Sequence, residues 1–512
     1  MEASNLQIYW HESQPIYSLC FHQSNSTARH TRRLVTAGGD NKIRIWQLNF
    51  DQDNKDKVDT IDFLSSLTQH EQAVNVVRFD SNNETLATAG DDGQLLLWRK
   101  NDKIVKEFGT DEEEFADFKE SWYIWKRLRT SSMGASSEIY DLCWSPDDKF
   151  IVTGSMDNSV RIFDVEQSKC IVVSTEHNHY VQGVTWDPND EFIISQSADR
   201  SIHVHKIQRD NNGLITSLKI ANKITKGDLP TREGMNSKVL KHKSLKTSYL
   251  FHNETLPSFF RRLCMSPCGN LLCIPTGIFR INDSGSENMT DELANAVYIF
   301  TRFSLKNNSN RPVLCLPFLH KPALAISFNP RLYKLNGNDK PYIDLPYKLV
   351  FAVATSDEVL LYDTESTEPI AVIGNLHYTP ITDLSWSADG CMLMLSSTDG
   401  FCSYVSMKQG TLGGLYEKDL PKRASESEHS ALESSASVDN SSNQKRKAPS
   451  DNSLTETAEK ISKTSGIQCA SSASEVGQKK EFEVATKPVS SNEAKSTPKK
   501  SVKRRIQPTL MS

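Results

Sequence analysis

The sequence lacks the features that would place it in a membrane or in the secretory pathway. No run of apolar residues approaches the roughly 20 that a helical membrane span requires. The first residues show neither the basic stretch nor the apolar stretch of a secretory signal. The ten cysteines include no Cys-x-x-Cys pair, which argues against a zinc ribbon and against a disulfide scaffold. We therefore expect reduced thiols and neither a membrane nor a secreted protein.

Signatures of catalysis are equally scarce. The sequence contains no Gly-rich phosphate loop of the Walker type and no Gly-x-Ser-x-Gly nucleophile elbow. A His-Asn-His triplet begins at His177, but no further metal ligands lie close to it in the sequence. Cys264, Cys268 and Cys273 fall on two predicted strands and the turn between them, which favours small core thiols over a zinc site. We expect no enzyme, no cofactor and no bound metal.

Charge and composition divide the chain into two parts. Residues 412–512 contain 17 Lys and Arg against 13 Asp and Glu, a net charge of +4, whereas residues 1–411 contain 42 against 51, a net charge of -9. After Lys418, Phe482 is the only aromatic residue. Such a composition buries too little apolar area to offset the entropy lost on ordering. We predict a folded domain over 1–411 and a disordered Ser/Lys-rich tail over 412–512.

One sequence pattern recurs seven times in the first part. It consists of an apolar strand that ends in Trp or Phe, a turn, a second strand that runs into small residues, and a third strand that closes on an aromatic residue. The second copy is the clearest: AVNVVRFD from Ala73, TLATAG from Thr85 and QLLLW from Gln94. The copies begin at Tyr17, Ala73, Tyr140, Val181, Arg262, Ala323 and Ile381. This repetition predicts an all-β fold, a seven-bladed WD40 β-propeller.

An Asp precedes the third strand in most copies. It lies six residues before the closing position in four copies and five residues before it in two. A carboxylate at this position can accept backbone N–H bonds that fix the turn. The predicted turn residues are Asp40, Asp92, Asp157, Asp199, Asp357 and Asp399. His70 and His179 stand just ahead of first strands and are predicted to hydrogen-bond within the same blades.

The seventh copy shows only three strands before the chain becomes polar. The segment Leu6–Trp10, with the sequence LQIYW, is predicted to supply the missing fourth strand. Such a pairing would close the ring and remove exposed strand edges that promote aggregation.

The first 411 residues exceed the roughly 40 to 45 per blade that WD40 propellers use. The excess is assigned to three insertions, near 101–135, 208–250 and 280–295. The first contains an acidic run from Asp111 to Glu120, and the second is basic in its latter half. Each is either a solvated loop or a loop that binds a partner.

The tail ends in a basic and aliphatic motif, for which two compatible interpretations stand. The first is a nuclear localisation signal made of Lys499, Lys500, Lys503, Arg504 and Arg505, with a second cluster at Lys445, Arg446 and Lys447. The second is a strand that adds to the sheet edge of a partner. In an extended chain one side would present Arg504, Ile506, Pro508 and Leu510.

Several segments resemble the WD-repeat middle subunit of chromatin assembly factor one, and the plant form most closely. They are YVQGVTWDP from Tyr180, LPSFFRRL from Leu256, LPYKLVFAVAT from Leu345, VLLYDT from Val359 and SSTDGFCSYV from Ser396. The resemblance runs from Leu6 to about Met407.

This resemblance implies a nuclear, non-catalytic subunit of a three-part histone chaperone. Such a complex deposits the dimer of the third and fourth core histones during replication- or repair-coupled nucleosome assembly. The implied partners are its large and small subunits and these histones, with no membrane and with DNA only indirectly. In the family, a motif of the form Arg-Arg-Ile-x-Pro-x-Leu binds the anti-silencing-function histone chaperone. The residues that match it are Arg504, Arg505, Ile506, Pro508 and Leu510.

Two other WD40 classes remain as alternatives. A histone-regulator WD protein acts outside replication and shares the propeller and the motif, but is expected to have a much longer C-terminal half. A substrate receptor of a cullin ubiquitin ligase is expected to carry a helix-loop-helix or a Trp-Asp-x-Arg box after a third strand. The copies that close at Trp46, Trp98 and Phe163 lack such a box.

Overall fold

A computed structural model describes residues 1–23, 31–51, 57–106, 110, 112–129, 137–227, 248–281, 292–337 and 341–417. Within these ranges the chain forms 30 strands and two helices of five residues each. None of the helices in these ranges is long and apolar enough to cross a membrane.

The strands and helices have the following bounds in chain order. The strands are β1 (Glu2–Leu6), β2 (Ile16–Phe21), β3 (Thr31–Gly38), β4 (Ile43–Phe50), β5 (Val58–Leu67), β6 (Val74–Phe79), β7 (Thr85–Gly90), β8 (Gln94–Lys100), β9 (Trp122–Arg129), β10 (Ile139–Trp144), β11 (Phe150–Ser155), β12 (Val160–Asp164), β13 (Lys169–Ser174), β14 (Val181–Trp186), β15 (Phe192–Ser197), β16 (Ile202–Arg209), β17 (Ile215–Ile224), β18 (Lys226–Gly227), β19 (Ser248–Tyr249), β20 (Cys264–Met265), β21 (Leu271–Ile281), β22 (Glu292–Thr301), β23 (Leu314–Leu319), β24 (Ala325–Phe328), β25 (Val350–Ala354), β26 (Glu358–Asp363), β27 (Ala371–Gly374), β28 (Ile381–Trp386), β29 (Met392–Ser397) and β30 (Cys402–Ser406). The helices are α1 (Glu112–Ala116), between β8 and β9, and α2 (Arg302–Lys306), between β22 and β23.

Seven four-stranded antiparallel sheets form the blades of a propeller. Blades one to four are β2-β3-β4-β5, β6-β7-β8-β9, β10-β11-β12-β13 and β14-β15-β16-β17. Blades five to seven are β20-β21-β22-β23, β24-β25-β26-β27 and β28-β29-β30 with β1, and β18 and β19 pair separately. The predicted seven-bladed β-propeller is confirmed.

In several blades the second strand is buried along its whole length. All six residues of β7, β11, β15 and β29 are buried, because both faces of such a strand pack against neighbouring blades. The small residues at the end of the second strand are required for steric reasons. A Cβ atom added to Gly90 would lie 2.0 Å from the carbonyl oxygen of Ala73, and one added to Gly38 would lie 2.0 Å from that of Pro15. The repeated Gly therefore lets the second strand approach the start of the first.

The N-terminus closes the ring, as predicted, but through a different segment. β1 pairs antiparallel with β30, from Glu2 opposite Ser406 to Leu6 opposite Cys402. The predicted strand Leu6–Trp10 is wrong, because this apolar run turns into the core instead of continuing along the edge. Trp10 is fully buried and packs edge-on against Trp46, with 5.0 Å between ring centroids.

The folded part continues beyond the predicted boundary at 411. Leu412 is buried in the core between blades six and seven. The Lys334 N–H donates to the Gly414 carbonyl at 2.7 Å, and the Tyr416 N–H donates to the Leu332 carbonyl at 2.9 Å. The remainder of the predicted tail, 418–512, lies outside the described residues.

The acidic insertion near 101–135 packs along the outer strand of blade one. The Lys119 N–H donates to the Leu64 carbonyl at 2.9 Å, and the Phe118 ring lies 5.9 Å from that of Phe63. The buried Glu120 forms ion pairs of 2.7 Å with both Arg33 and Lys100. This part of the insertion is therefore built into the fold, and α1 lies within it. The central parts of the other two insertions, 228–247 and 282–291, lie outside the described residues.

Candidate functional site

One face of the ring carries the links between blades, and we call it the connection face. Because neighbouring strands are antiparallel, first and third strands begin there and second and fourth strands end there. The turns with the predicted Asp residues connect second strands to third strands, so they lie on the connection face. The links from each fourth strand to the next first strand lie there as well.

In blades one and two, the turn Asp belongs to a chain of buried hydrogen bonds. In blade two, Nδ1 of His70 lies 2.8 Å from the Asp92 carboxylate, and Nε2 lies 2.8 Å from the Thr88 hydroxyl. Trp98 donates its indole N–H to the same hydroxyl at 2.9 Å. Blade one repeats the arrangement with Asp40, His11, Thr36 and Trp46. In each of these two blades, the hydrogen bonds connect the segment ahead of the first strand, the turn between the second and third strands, and these two strands themselves.

Blades four and seven contain variants of this set of hydrogen bonds. His177 lies 3.1 Å from Asp199 and 2.8 Å from the Ser195 hydroxyl. His205 takes the place of the Trp, with its Nε2 3.0 Å from the same hydroxyl. In blade seven, His377 lies 3.0 Å from Asp399 and 2.7 Å from the Ser403 hydroxyl.

Of the two histidines predicted from the sequence, His70 is confirmed and His179 is wrong. His70 makes the expected contacts within its blade, whereas His179 accepts a bond from its neighbouring Tyr180 N–H, and the histidine that bonds the turn is His177. His11 and His377 were missed as well. A signal was present, because the His precedes the Asp by 22 positions in blades two, four and seven.

The two remaining turn Asp residues have other partners. Asp157 accepts from the Ser159 N–H at 3.3 Å and from the Arg161 guanidinium at 3.0 Å. Asp357 forms a 2.9 Å ion pair with Lys321. Neither contacts a His in the part of the chain that the structure describes, and residues 130–136 ahead of blade three lie outside it.

The buried turn carboxylates are held in their charged form. Burial acts to raise the pKa of Asp92, but hydrogen bonds from His70 and from the backbone N–H groups of Gln94 and Glu71 outweigh it, so this pKa is lowered. The same balance lowers the pKa of Asp40, Asp199 and Asp399.

Blade four holds a cluster of three buried histidines. The rings of His177 and His203 stack with 3.7 Å between centroids, and His205 lies beside them. Ring nitrogens of the three lie within 4.8 Å of one another, so this set could hold a metal ion, although Nε2 of both His177 and His205 already bonds Ser195. Burial lowers the pKa of His203 to about 2 and that of His205 to about 3. By contrast, Cys264, Cys268 and Cys273 pack in the apolar core between blades five and six.

We expect the propeller to lose stability as the pH falls from 7 towards 4. His203 and His205 stay neutral in the folded state, whereas an unfolded His titrates near about 6.5, so below that value the unfolded state binds more protons. The measurement is the urea midpoint at several pH values for the wild type and for His203→Gln, which should show a shallower loss. The exposed His320→Gln serves as the control and should keep the wild-type slope. If the urea midpoint falls with pH equally steeply in all three proteins, the neutral state of His203 does not cause the loss of stability.

A second buried polar network lies on the central axis. Arg262, in the FFRRL segment ahead of β20, donates to the Asn75 carbonyl at 2.8 Å and to the Tyr17 carbonyl at 3.3 Å. Its guanidinium also forms a 2.6 Å ion pair with Asp383. This one side chain therefore connects blade five with blades one, two and seven.

The two buried carboxylates on the axis, Asp383 and Asp141, differ in how far nearby cations and donors compensate for their burial. Asp383 pairs with Arg78 at 2.8 Å as well as with Arg262, and these cations lower its pKa although burial acts in the opposite direction. Asp141 accepts the Val184 N–H at 3.0 Å, and burial raises its pKa. This network was not predicted from the sequence, although Asp141 and Asp383 each stand inside an apolar first strand, IYDLCW and ITDLSW.

The predicted C-terminal sites cannot be placed in this geometry, because they lie outside the described residues. These are the localisation clusters Lys445, Arg446, Lys447, Lys499, Lys500, Lys503, Arg504 and Arg505, and the motif residues Ile506, Pro508 and Leu510 with the same two arginines.

A ring of seven antiparallel blades, with Asp–His–Thr–Trp hydrogen bonds inside blades one and two and variants of them in blades four and seven, defines the class of WD-repeat β-propellers. A family model described as the CAF1B/HIR1 beta-propeller domain matches residues 1–412, and the chain belongs to this family.

Three relatives illustrate the similarity. The B subunit of chromatin assembly factor 1 of Saccharomyces cerevisiae is 50% identical over 431 residues, which cover 81% of this chain and 87% of the relative. The corresponding protein of Schizosaccharomyces pombe is 39% identical over 490 residues, covering 83% and 92%. The FAS2 homolog of rice (Oryza sativa subsp. japonica), also a chromatin assembly factor 1 protein, is 33% identical over 427 residues, covering 83% and 77%.

The resemblance noted in the sequence is thus confirmed at the level of the family. The chain is a homologue of the B subunit of chromatin assembly factor 1. The expectation that the plant form is nearest is contradicted, because the identity to the rice protein, 33%, is below the 50% to the budding-yeast protein.

Proposed function

We propose that this chain is the non-catalytic WD-repeat subunit of a nuclear chromatin assembly factor. In this proposal it acts as a scaffold with the large and small subunits of the factor. The complex deposits the dimer of the third and fourth core histones during replication- or repair-coupled nucleosome assembly and contacts DNA only indirectly. The observation that carries the proposal is the 50% identity to a chromatin assembly factor subunit over 87% of that subunit.

Charge supports an encounter with histones. Residues 1–411 carry a net charge of -9, and complementary charge accelerates association with a strongly basic partner. The acidic helix α1 contributes less free charge than its sequence indicates. Glu114 forms a 2.8 Å ion pair with Lys42, and Glu112 forms one of 3.1 Å with Lys106. Its acidic side chains are therefore partly neutralised by cations of the same chain.

The second candidate is a histone-regulator WD protein that acts outside replication. The matching family model includes both kinds of protein, which is the observation in its favour. The three relatives named above are all subunits of chromatin assembly factor 1, which favours the first candidate.

Affinity purification of the full chain from nuclear extract, followed by mass spectrometry, separates the candidates. We expect two further subunits of a chromatin assembly factor together with core histones. Recovery of histone-regulator subunits would favour the second candidate. Recovery of a cullin adaptor would overturn both.

The C-terminal motif is proposed to bind the anti-silencing-function histone chaperone by strand addition. In an extended strand, Ile506 and Leu510 lie on one side and can fill apolar pockets, while Arg504 and Arg505 can meet carboxylates of the partner. The same basic residues serve a nuclear localisation signal, so a variant that changes only an aliphatic side chain separates the two roles.

An Ile506→Ala peptide of residues 495–512 is expected to bind the chaperone about ten-fold or more weakly than the wild-type peptide. Burial of an Ile side chain contributes roughly 1.5 to 3 kcal/mol, and about 1.4 kcal/mol corresponds to a factor of ten. Calorimetric titration measures the affinity, with Gln507→Ala, on the opposite side of the strand, as the matched control. Equal affinity of the wild-type and Ile506→Ala peptides would leave only the localisation role.

A further inference from the structure

Five aromatic side chains surround the central axis on the connection face, and we call this group the aromatic mouth. Its members are Tyr17, Tyr140, Tyr180, Phe259 and Phe260. The Tyr17 and Phe260 rings lie 5.9 Å apart although blades one and five are not neighbours, so this contact crosses the axis. Tyr140 lies 6.2 Å from Tyr180 and 6.4 Å from Phe259, which links blades three, four and five.

One ring of the aromatic mouth, that of Phe259, is exposed to solvent, and the residues next to it are held by the fold. Phe259 is 61% exposed, whereas Phe260 is 4% exposed and lies against the Arg262 guanidinium at 4.4 Å from its ring centroid. Gln182 donates to the Ser258 carbonyl at 2.7 Å, and the Arg261 N–H donates to the Gln182 carbonyl at 3.0 Å. One side-chain and one backbone hydrogen bond, on the two sides of Phe259, therefore hold an aromatic ring towards solvent, which is a common property of binding surfaces.

Hydrogen-bond acceptors border these rings. The Tyr140 hydroxyl donates to Glu138 at 3.2 Å. The Asn75 amide donates to the Asp91 carboxylate at 2.6 Å and to the Ile139 carbonyl at 3.0 Å, which places Asp91 near Glu138 and Tyr140. Burial, and then the Asp91 carboxylate, raise the pKa of Tyr17. In the described part of the chain neither Asp91 nor Glu138 forms an ion pair with a Lys, Arg or His.

The amide oxygen of Gln182 is a buried acceptor beside Phe259. Gln182 is 5% exposed, and its amide N–H bonds the Ser258 carbonyl, but its Oε1 atom makes no hydrogen bond within the part of the chain that the structure describes. An unsatisfied buried acceptor is costly unless a ligand donates to it. Two carboxylates and an amide oxygen beside aromatic faces match the N–H groups of a guanidinium or ammonium. An apolar ligand would leave the Gln182 Oε1 atom unpaired and both carboxylates without a cation.

We propose that the aromatic mouth binds a Lys or Arg side chain from an extended basic segment, the N-terminal tail of a core histone. The cation would lie between Asp91, Glu138 and Gln182, with its methylene groups against Phe259. The choice of the histone tail rests on the proposed function, whereas the preference for a cation rests on the geometry.

The test is a binding titration of the full chain with a synthetic peptide of the N-terminal tail of the third core histone. Phe259→Ala and the double variant Asp91→Asn, Glu138→Gln should each weaken binding about ten-fold or more. Two controls should bind as the wild type does. Phe303→Ala removes a 75% exposed ring of α2 on the opposite face, and Asp102→Asn removes an exposed carboxylate far from the mouth. A peptide with acetylated lysines, and with citrulline in place of arginine, should not bind.

Three results would overturn the proposal. These are unchanged affinity in both mouth variants, full binding of the neutralised peptide, and tighter binding at the mouth of this chain's own 495–512 peptide. The affinity purification described above is independent of them. If the wild-type chain recovers the assembly-factor subunits while the mouth variants bind the histone peptide normally, only the mouth assignment fails. If no assembly-factor subunit is recovered, the proposed function fails.

Discussion

An Arg262→Met chain is expected to unfold at a much lower urea concentration than the wild-type chain. The substitution removes one of the two cations that pair with Asp383, leaving Arg78, and leaves the Asn75 and Tyr17 carbonyls without this donor. Removing one member of a buried ion pair destabilises a protein by about 3 to 5 kcal/mol. Domains are stable by only about 5 to 15 kcal/mol, so the expected loss is a large fraction of the total.

The urea midpoint followed by tryptophan fluorescence measures this effect. Arg127→Met is the matched control, because Arg127 is exposed on the outer strand of blade two and makes no ion pair in the described residues. A second variant, Arg262→Lys, should lose less stability than Arg262→Met, since it keeps a cation beside Asp383. If Arg262→Met and Arg127→Met unfold at the same urea concentration, the axis network does not hold the blades together.

Deletion of residues 1–11 is expected to lower the melting temperature of the whole propeller and to promote aggregation. The deletion exposes the edge of β30, and an unpaired strand edge recruits other chains. It also removes the fully buried Trp10, and loss of a buried Trp side chain costs about 3 to 5 kcal/mol. It further removes His11, which bonds both Asp40 and Thr36.

Thermal unfolding compares this deletion with two others. Deletion of 418–512 should leave the melting temperature unchanged, because the last described contacts of the propeller end with Tyr416. The single variant Trp10→Ala separates loss of packing from loss of strand pairing and should fall between the wild type and the 1–11 deletion. A 1–11 deletion that melts with the full-length chain would show that β1 does not close the ring.

The number of blades could be predicted because every copy contains the same local pattern. Apolar first strands, small residues at the end of second strands and an Asp before third strands are readable within about 25 residues. The small residues have a steric cause that recurs, as Gly38 and Gly90 show with their 2.0 Å approach to a backbone carbonyl. The architecture could therefore be predicted from this local repetition.

The axis and the aromatic mouth could not be predicted, because their members meet only across the closed ring. Arg262 is separated from Asn75 by 187 residues and from Tyr17 by 245. The FFRRL segment was noticeable in the sequence, but nothing in its composition indicates that Arg262 crosses the axis and that Phe259 faces solvent. Only the placement of blades one and five on opposite sides of the axis brings Tyr17 to Phe260.

The ends of the domain were misplaced for a different reason. Apolar content predicted a strand at Leu6–Trp10, but β1 uses the mostly polar run Glu2–Asn5 with Leu6, since an edge strand needs mainly backbone hydrogen bonds. At the other end, a composition averaged over many residues does not register that Leu412 and Tyr416 dock on blades six and seven. Both ends of the folded domain therefore depend on the contacts of a few individual residues, which average composition does not reveal.

Nucleosome assembly in a replication extract is the most direct test of the central claim, that this chain is a working subunit of chromatin assembly factor. The extract is depleted of the endogenous subunit and supplied with the full chain, and deposition of the third and fourth core histones on newly replicated DNA is measured. We predict that the wild-type chain restores deposition and that the 1–11 deletion does not. Deposition that remains at the depleted level after addition of the folded wild-type chain would contradict the account.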